Sequence, residues 1–295
     1  MSLSEIRLHE PRSLTKAIKL LEELDKEARI AAGGTDLFVD MKQGLIEARD
    51  IISLQKIEEL KGIGKKDKRI RIGAMVTAQE IISSSLINQH IPALADAARS
   101  MASYQIRSMA TIGGNISSAV PSADLPPSLI AADATVELRC SESSREVTLT
   151  KFFTGPRETI CRTGELLTFI FVPFPPSNTG ISYQKFALRE ANALAVASVA
   201  SRLTLKDGKI DRAAIVLGAV APTPVEALKT SEFLSGKEPS QSLLEDASLM
   251  AKEEAKPISD IRGSIWYRKE LIPILTRRAL TEALLQAQRK SRTRK

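Results

Sequence analysis

The feature that most constrains the fold is a stretch of small and uncharged residues at positions 110–132. It carries Gly113 and Gly114, then small polar residues, and its first charged residue is Asp124. Adjacent glycines let a backbone approach a ligand closely, and exposed amides in such a loop bind phosphate. The composition suits neither a regular helix nor a strand, so we predict a ligand-binding loop.

A second stretch of the same character covers residues 30–41. An apolar strand runs into Gly33 and Gly34, after which Thr35 and Asp36 are able to cap a short helix. Neither glycine pair matches the GxGxxG fingerprint or the GxxxxGK[ST] phosphate loop, and a single Gly-Gly pair is most often only a tight turn. Two such turns, each with hydroxyl groups, suggest one large phosphate-bearing ligand held from two sides.

Composition limits the chemistry that the chain carries itself. Its 295 residues are enough for two domains. Cys140 and Cys161 are its only cysteines, too few for a four-cysteine iron–sulfur cluster. Its only histidines, His9 and His90, give little support to a metal site or a Ser-His-Asp triad. So few reactive side chains suit a protein that holds a cofactor.

Charge and hydropathy predict a cytoplasmic protein that binds no nucleic acid. No apolar run approaches the ~20 residues of a membrane span, and the first residues lack the apolar core of a signal peptide. The net charge is +7, partly from the basic segment 289–295. Since that segment has no interleaved aromatic residues, a solvated terminus is favoured over partner docking or nucleic-acid binding.

Periodicity predicts an α+β protein whose first part is a small parallel α/β unit. The elements expected there are strands at 6–8, 29–32 and 50–54, a helix capped by Ser13 and a short helix at 36–42. A mixed, mostly antiparallel α+β unit follows. Its elements are strands at 60–63, 69–72, 135–139, 147–149 and 166–172, a helix opened by a capping box at residues 77–80, and a helix at 93–101 begun by Pro92.

Residues 173–178 are the best linker candidate, because three prolines fall within them. Beyond them we predict a three-stranded antiparallel sheet followed by helices. The strands are 182–188, 196–206 and 210–219, with a hairpin turn at Asp207-Gly208, and the helices are 225–234, 243–255 and 266–288. The predicted domains are 1–175, with subdomains at about 1–56 and 57–175, and 176–295.

Motifs along nearly the whole chain resemble the FAD-binding subunit of molybdenum hydroxylases. AGGTDL is followed by QIRxxATIGGNI and PxADxPP, and the second domain adds YQKFALREANALAVASVA, VAPTPVEA and SDIRGSIWYR. The family includes xanthine, carbon monoxide, bacterial aldehyde and nicotinate dehydrogenases and 4-hydroxybenzoyl-CoA reductase; this chain lacks the cysteine-rich insertion of the last. It departs from the family pattern at Asn192, where Asp is frequent, and at Glu226, where Arg is common.

The resemblance implies that residues 1–175 form an FAD-binding domain. Amides of the first glycine turn are able to bind the pyrophosphate, and the second turn supplies the opposite wall. We expect the FAD-binding residues to be Ile30, Ala31, Ala32, Gly33, Gly34, Thr35, Asp36, Leu37, Ala102, Ala110, Thr111, Ile112, Gly113, Gly114, Asn115, Ser118, Asp124, Leu167, Tyr183 and Lys185. No catalytic residue and no metal ligand are expected on this chain.

Several of these side chains have a structural alternative. Asp36 is favoured as a helix cap, since its carboxylate would repel phosphate, and Asp124 either accepts sugar hydroxyls or initiates a turn. By resemblance Ala102 and Leu167 lie against the flavin and Lys185 reaches the ring; a lysine in mid-strand is otherwise usually solvated. Tyr183 either stacks on the flavin or packs in the core. For Arg107 and for Arg262-Gly263-Ser264 a loop-fixing role is favoured.

The resemblance also implies function. The chain would be an electron-transferring FAD subunit that works with a small iron–sulfur subunit and a large molybdopterin subunit, as a heterotrimer that is able to dimerise. FAD would exchange electrons with a soluble acceptor such as NAD, a quinone or ferredoxin. Two alternatives stay open: a free-standing FAD-dependent oxidase, and a nucleotide-binding scaffold that has lost flavin.

Overall fold

The computed structural model describes residues 6–292, and it begins with a parallel sheet of strand order β1-β3-β2. Ser13 caps the first helix by accepting a hydrogen bond from the Lys16 amide at 3.4 Å, which confirms the predicted cap. The elements are β1 (Arg7–His9), α1 (Leu14–Leu24), β2 (Ala28–Ala31), α2 (Leu37–Lys42) and β3 (Asp50–Ser53). As predicted, the first glycine turn leaves the carboxyl end of the second strand.

An antiparallel sheet of order β4-β5-β10-β6-β7 follows, with a separate hairpin of β8 and β9. The strands are β4 (Ile63–Lys66), β5 (Arg69–Gly73), β6 (Thr135–Arg139), β7 (Ser144–Thr148), β8 (Phe153–Gly155), β9 (Glu158–Thr159) and β10 (Leu166–Pro173). The strand predicted at 60–63 is wrong: Glu58–Leu60 forms a 3-10 turn, because the Leu60 carbonyl accepts from the Met75 amide instead of joining a ladder.

Six helices lie between β5 and β6 in the chain, and most of them share a hydrophobic core with this sheet. They are α3 (Ala78–Ser83), α4 (Ser85–His90), α5 (Pro92–Arg99), α6 (Tyr104–Arg107), α7 (Ile112–Ser117) and α8 (Leu125–Ala131). The capping box is confirmed, since Thr77 and Glu80 bind each other's amides at 3.2 and 2.7 Å. The loop predicted over 110–132 is wrong, because it contains α7 and α8. Thr111 caps the first, and prolines in the first turn set the backbone of the second.

The last part is an antiparallel sheet of order β11-β12-β13-β14 covered by helices. The elements are β11 (Thr179–Ala187), β12 (Ala195–Lys206), β13 (Lys209–Gly218), β14 (Val225–Glu226), α9 (Leu228–Leu234), α10 (Gln241–Glu254) and α11 (Ile265–Arg292). Asp207 and Gly208 form the predicted turn with φ of 50° and 78°. The sheet has a fourth strand that was not predicted, because Val225 and Glu226 pair with β13 before the helix starts.

Part of the C-terminal sheet packs into the core of the five-stranded sheet, while most of its buried residues form a second core with α9, α10 and α11. Helix α8 contacts β12 and β13, while α5 contacts β11. Ile181 and Tyr183 belong to the same buried cluster as Leu129 of α8. A Cβ on Gly218 would stand 2.8 Å from a ring carbon of Pro127, so α8 lies directly on β13. Between residues 6 and 292, no helix has the length and hydrophobicity needed to cross a bilayer. The basic segment 289–295 extends past the described range.

Candidate FAD site

The first glycine turn, residues 33–37, follows β2 and is shaped by close backbone contacts. A Cβ on Gly33 would stand 2.0 Å from the carbonyl oxygen of Met109. Gly34 has φ +72°, a left-handed conformation that glycine adopts without strain. The ring of Phe38 lies 2.6 Å from where a Cβ of Gly34 would be. Both positions therefore require glycine, for different reasons.

This turn presents unbonded amides. Within the described chain, the backbone N–H groups of residues 34–37 donate to no protein acceptor. The next amide along the chain, that of Phe38, donates to the Gly34 carbonyl at 3.2 Å. Asp36 stands at the N-cap position but its side chain caps nothing, so the predicted cap is wrong. Successive free amides after a left-handed residue form a concave anion-binding surface.

The second glycine turn, residues 111–115, has the opposite character. The amides of Ile112 and Gly113 donate to the carbonyls of Val76 and Ala74 at 2.8 and 2.9 Å. The Gly114 amide donates to Thr111 Oγ1 at 3.1 Å. The exposed amides predicted for this turn are therefore not found, since neighbouring backbone and a cap already bind them.

The two turns lie against each other. Gly33 packs on Met109, one residue before the second stretch begins, and a Cβ on Gly114 would stand 3.8 Å from Cβ of Ala32. The pKa of the Asp36 carboxyl is raised, mainly because neighbouring protein atoms displace part of its hydration although the residue is exposed, and also because the Asp40 carboxylate is near. The hydroxyl of Ser118 opposes this rise. The structure therefore brings together Ile30 to Leu37 with Ala110 to Asn115 and Ser118 of the predicted set.

Asp124, Tyr183 and Lys185 form a buried polar cluster beside the second turn. The Tyr183 hydroxyl donates to Asp124 Oδ1 at 3.1 Å, and Lys185 Nζ donates to Asp124 Oδ2 at 3.0 Å. The Lys185 and Asp124 side chains are only 6% and 9% exposed. Burial raises the pKa of Asp124, and the ammonium of Lys185 opposes that rise. The backbone amide of Leu125 joins the cluster to the second turn by donating to Asn115 Oδ1 at 3.4 Å.

These contacts decide between several predicted alternatives. Lys185 is not a solvated lysine, and the side chain of Tyr183 belongs to the buried core. Asp124 makes no side-chain capping bond, so the turn-initiating role is wrong. Both oxygens of its carboxylate are engaged by Tyr183 and Lys185. Leu167 is buried in the core strand β10.

The segment 100–102 is held from several sides. Lys185 Nζ donates to the Ser100 carbonyl at 2.9 Å, and Arg107 Nη1 donates to the Met101 carbonyl at 2.7 Å. Ala102 has φ +33°, which is unusual for a residue with a Cβ, and its carbonyl accepts from the Asn192 amide at 3.2 Å. The loop-fixing role predicted for Arg107 is confirmed. Arg262 likewise fixes its own loop through Asp260, at 2.6 and 2.9 Å.

Two residues next to the first turn were not predicted from sequence. Phe38 covers Gly34, and Arg157, in the turn between β8 and β9, donates to Asp40 of α2. Arg157 and Asp40 are 117 residues apart in sequence. A single sequence carries no signal for such a pair, because nothing local relates the two positions.

The fold and the paired turns define a flavoprotein subunit, and sequence comparison identifies the family. Residues 4–175 match the FAD-binding domain in molybdopterin dehydrogenase, and residues 182–283 match the CO dehydrogenase flavoprotein C-terminal domain. The chain therefore belongs to the family of FAD-binding subunits of molybdenum hydroxylases. It is an oxidoreductase subunit whose cofactor is FAD, and the predicted family and cofactor are confirmed.

Relatives match nearly end to end. The chain is 34% identical to the glyceraldehyde dehydrogenase medium chain of Sulfolobus acidocaldarius, over 92% of this chain and 95% of that one. It is 34% identical to the carbon monoxide dehydrogenase medium chain of Afipia carboxidovorans, over 95% and 96%. It is 31% identical to the xanthine dehydrogenase FAD-binding subunit of Escherichia coli, over 95% and 96%.

Solved structures have the same fold. A chain of the Cu,Mo-CO dehydrogenase superposes with a TM-score of 0.93 at 33% identity, over 97% of this chain and 100% of that one. A chain of quinoline 2-oxidoreductase from Pseudomonas putida 86 gives a TM-score of 0.91 at 28% identity, over 97% and 99%. The predicted α+β fold class is confirmed.

Proposed function

We propose that this chain is the electron-transferring FAD subunit of a cytoplasmic, molybdenum-containing hydroxylase or dehydrogenase complex. The observation that carries the proposal is the row of unbonded amides at residues 34–37, which lies against a second glycine turn. The amides are donors without acceptors, as a diphosphate site requires. The free donors at residues 34–37 lie beside a turn that packs on them at Gly33 and Met109, so the residues present fit the diphosphate of the cofactor.

Different parts of the chain would hold different parts of FAD. The free amides of the first turn would bind the diphosphate, and the second turn, whose amides are occupied, would supply a rigid wall. The cluster of Asp124, Tyr183 and Lys185 would act on the flavin through the segment 100–102, which Lys185 holds in place. Leu167 would help to exclude water from the ring. When bound, FAD supplies the redox chemistry, because its ring exchanges one or two electrons.

The partners are proposed from the relatives. Two of them are called medium chains and one an FAD-binding subunit, names that indicate assemblies of several chains. We propose a small iron–sulfur subunit as the electron donor or acceptor on one side and a large molybdopterin subunit that carries out the substrate reaction. A soluble carrier such as NAD, a quinone or ferredoxin would exchange electrons with FAD. The predicted boundary at residue 175 would separate the FAD-binding domain from the C-terminal domain.

The test is isolation of the chain from its native host by an affinity tag. We expect two further chains to co-purify, with iron, molybdenum and one FAD per copy of this chain. The chain produced alone should retain FAD but hydroxylate no aldehyde, purine or aromatic acid. Aerobic turnover of an organic substrate by the isolated chain, with neither iron nor molybdenum in the sample, would favour a free-standing oxidase. A folded chain without flavin would favour the scaffold alternative.

A further inference from the structure

The hairpin of β8 and β9 reaches α2, the helix that follows the first glycine turn, through the side chain of Arg157. Arg157 Nη1 donates to Asp40 Oδ2 at 2.6 Å, and Nη2 donates to Oδ1 at 3.3 Å. The Arg157 backbone has φ +62°, and its amide donates to the Ala119 carbonyl at 2.8 Å. Backbone and side chain are thus both fixed, so the position of the guanidinium is set by the fold.

The guanidinium of Arg157 lies near two carboxylates that disfavour anion binding at the first glycine turn. Asp36 belongs to the row of free amides, and Asp40 follows one helical turn later. Each carboxylate repels an incoming diphosphate. Arg157 interacts with both carboxylates, and it is the cation whose charge opposes the raised pKa of Asp36.

Arg157 also has guanidinium N–H groups that Asp40 does not engage. Its side chain is 53% exposed, whereas the Asp40 side chain is 9% exposed. Within the described chain it donates only to Asp40, so the other N–H groups of the guanidinium are open to solvent. A planar guanidinium whose one edge is fixed by a carboxylate is well placed to present its free donors to phosphate oxygens.

We propose that Arg157 binds the FAD diphosphate directly, with Asp40 orienting it, and so completes the anion site that the amides of residues 34–37 begin. This inference rests on the proposed FAD site and adds a charged residue from a separate hairpin to it. The amides contribute partial charges only, and Arg157 supplies the full positive charge that an anionic diphosphate beside Asp36 requires.

The experiment measures the affinity of the FAD-depleted chain for FAD and for ADP at two ionic strengths. We expect Arg157→Gln to weaken both ligands by about 10- to 100-fold, the loss of a charged hydrogen bond. The salt dependence of ADP binding should also become shallower. Arg162→Gln is the matched control, because it removes an exposed arginine from the neighbouring segment, and it should leave both affinities within about twofold of wild type.

A double variant separates direct contact from simple neutralisation of Asp40. Asp40→Asn combined with Arg157→Gln leaves no buried carboxylate unpaired at position 40, so it also serves if Arg157→Gln alone fails to fold. Direct contact predicts that the double variant stays weak, whereas wild-type affinity in the double variant overturns the proposal. Unchanged affinity in Arg157→Gln overturns it as well. If the wild-type chain itself binds no FAD, the proposed function fails instead.

Discussion

The two glycine turns have nearly the same composition but differ in how their backbone amides are hydrogen bonded. In the first, Gly34 adopts a left-handed backbone and the amides that follow it have no protein acceptor. In the second, Thr111 and the backbone near Ala74 and Val76 bind every amide from 112 to 114. The comparison shows that a Gly-Gly pair serves either to expose amides or to let elements pack closely, and only the hydrogen bonds tell which.

The largest effect is expected where the two turns touch. In Gly33→Ala the new methyl group would stand 2.0 Å from the Met109 carbonyl oxygen, so one turn must move. We expect loss of bound FAD and a lower free energy of unfolding, by about 1–3 kcal/mol, measured by flavin content and urea denaturation. Gly64→Ala is the control, since nothing lies within 4 Å of its new methyl group. Equal stability of the two variants would mean that the contact between the turns is unimportant.

Gly34→Val tests the exposed amides. A β-branched residue at φ +72° is strained, and its side chain would meet the Phe38 ring. We expect a folded protein without bound FAD, assessed by circular dichroism and flavin absorbance. Gly62→Val introduces similar strain at φ +83° with no neighbour within 4 Å, and it should keep its FAD. A Gly34→Val protein that is still stoichiometrically yellow contradicts the role given to the first turn.

Gly114→Val should have a smaller effect than Gly34→Val. The backbone at Gly114 has no positive φ, and its new Cβ would meet Thr111 Oγ1 at 3.0 Å, which a small shift relieves. We expect weakened but measurable FAD binding, determined by titration of the FAD-depleted protein. Complete loss of FAD in this variant would show that the second turn contacts the cofactor as closely as the first.

Thr111→Val should have the smallest effect on FAD. It removes the hydroxyl that accepts from the Gly114 amide, a loss of about 1 kcal/mol in unfolding free energy. Ser240→Ala removes the corresponding cap of α10, where the Leu243 amide donates at 3.1 Å, and it should destabilise to a similar extent. FAD affinity should stay close to wild type in both. A large loss in Thr111→Val alone would assign its hydroxyl to the ligand.

Local features of the structure were predictable from sequence. The Ser13 cap, the Thr77 capping box and the Asp207-Gly208 turn depend on residues within a few positions of each other. The parallel pairing of the strands in the first sheet and the place of the first glycine turn were also predicted, because alternation of strands and helices indicates them. Family motifs supplied the expected ligand.

What sequence could not predict depends on distant partners. Asp124 and Lys185 are 61 residues apart, and their ion pair belongs to a buried cluster that holds the segment 100–102. Helix α7 has a glycine pair in its first turn, yet it forms because the carbonyls of Val76 and Ala74 and the hydroxyl of Thr111 accept from its first three amides. Propensity alone disfavours a helix at such residues, and tertiary contacts override it.

The packing of α8 on β12 and β13 has a consequence for engineering. A fragment that ended at residue 175 would uncover Leu129 and its neighbours in α8, together with the apolar surface that Ile181 and Tyr183 otherwise cover. It would also leave Asp124 without Lys185. Chimeras between relatives that exchange only one half of the chain must therefore keep complementary residues on α8 and on the strands that pack against it. Exchanges of whole chains leave this buried contact intact.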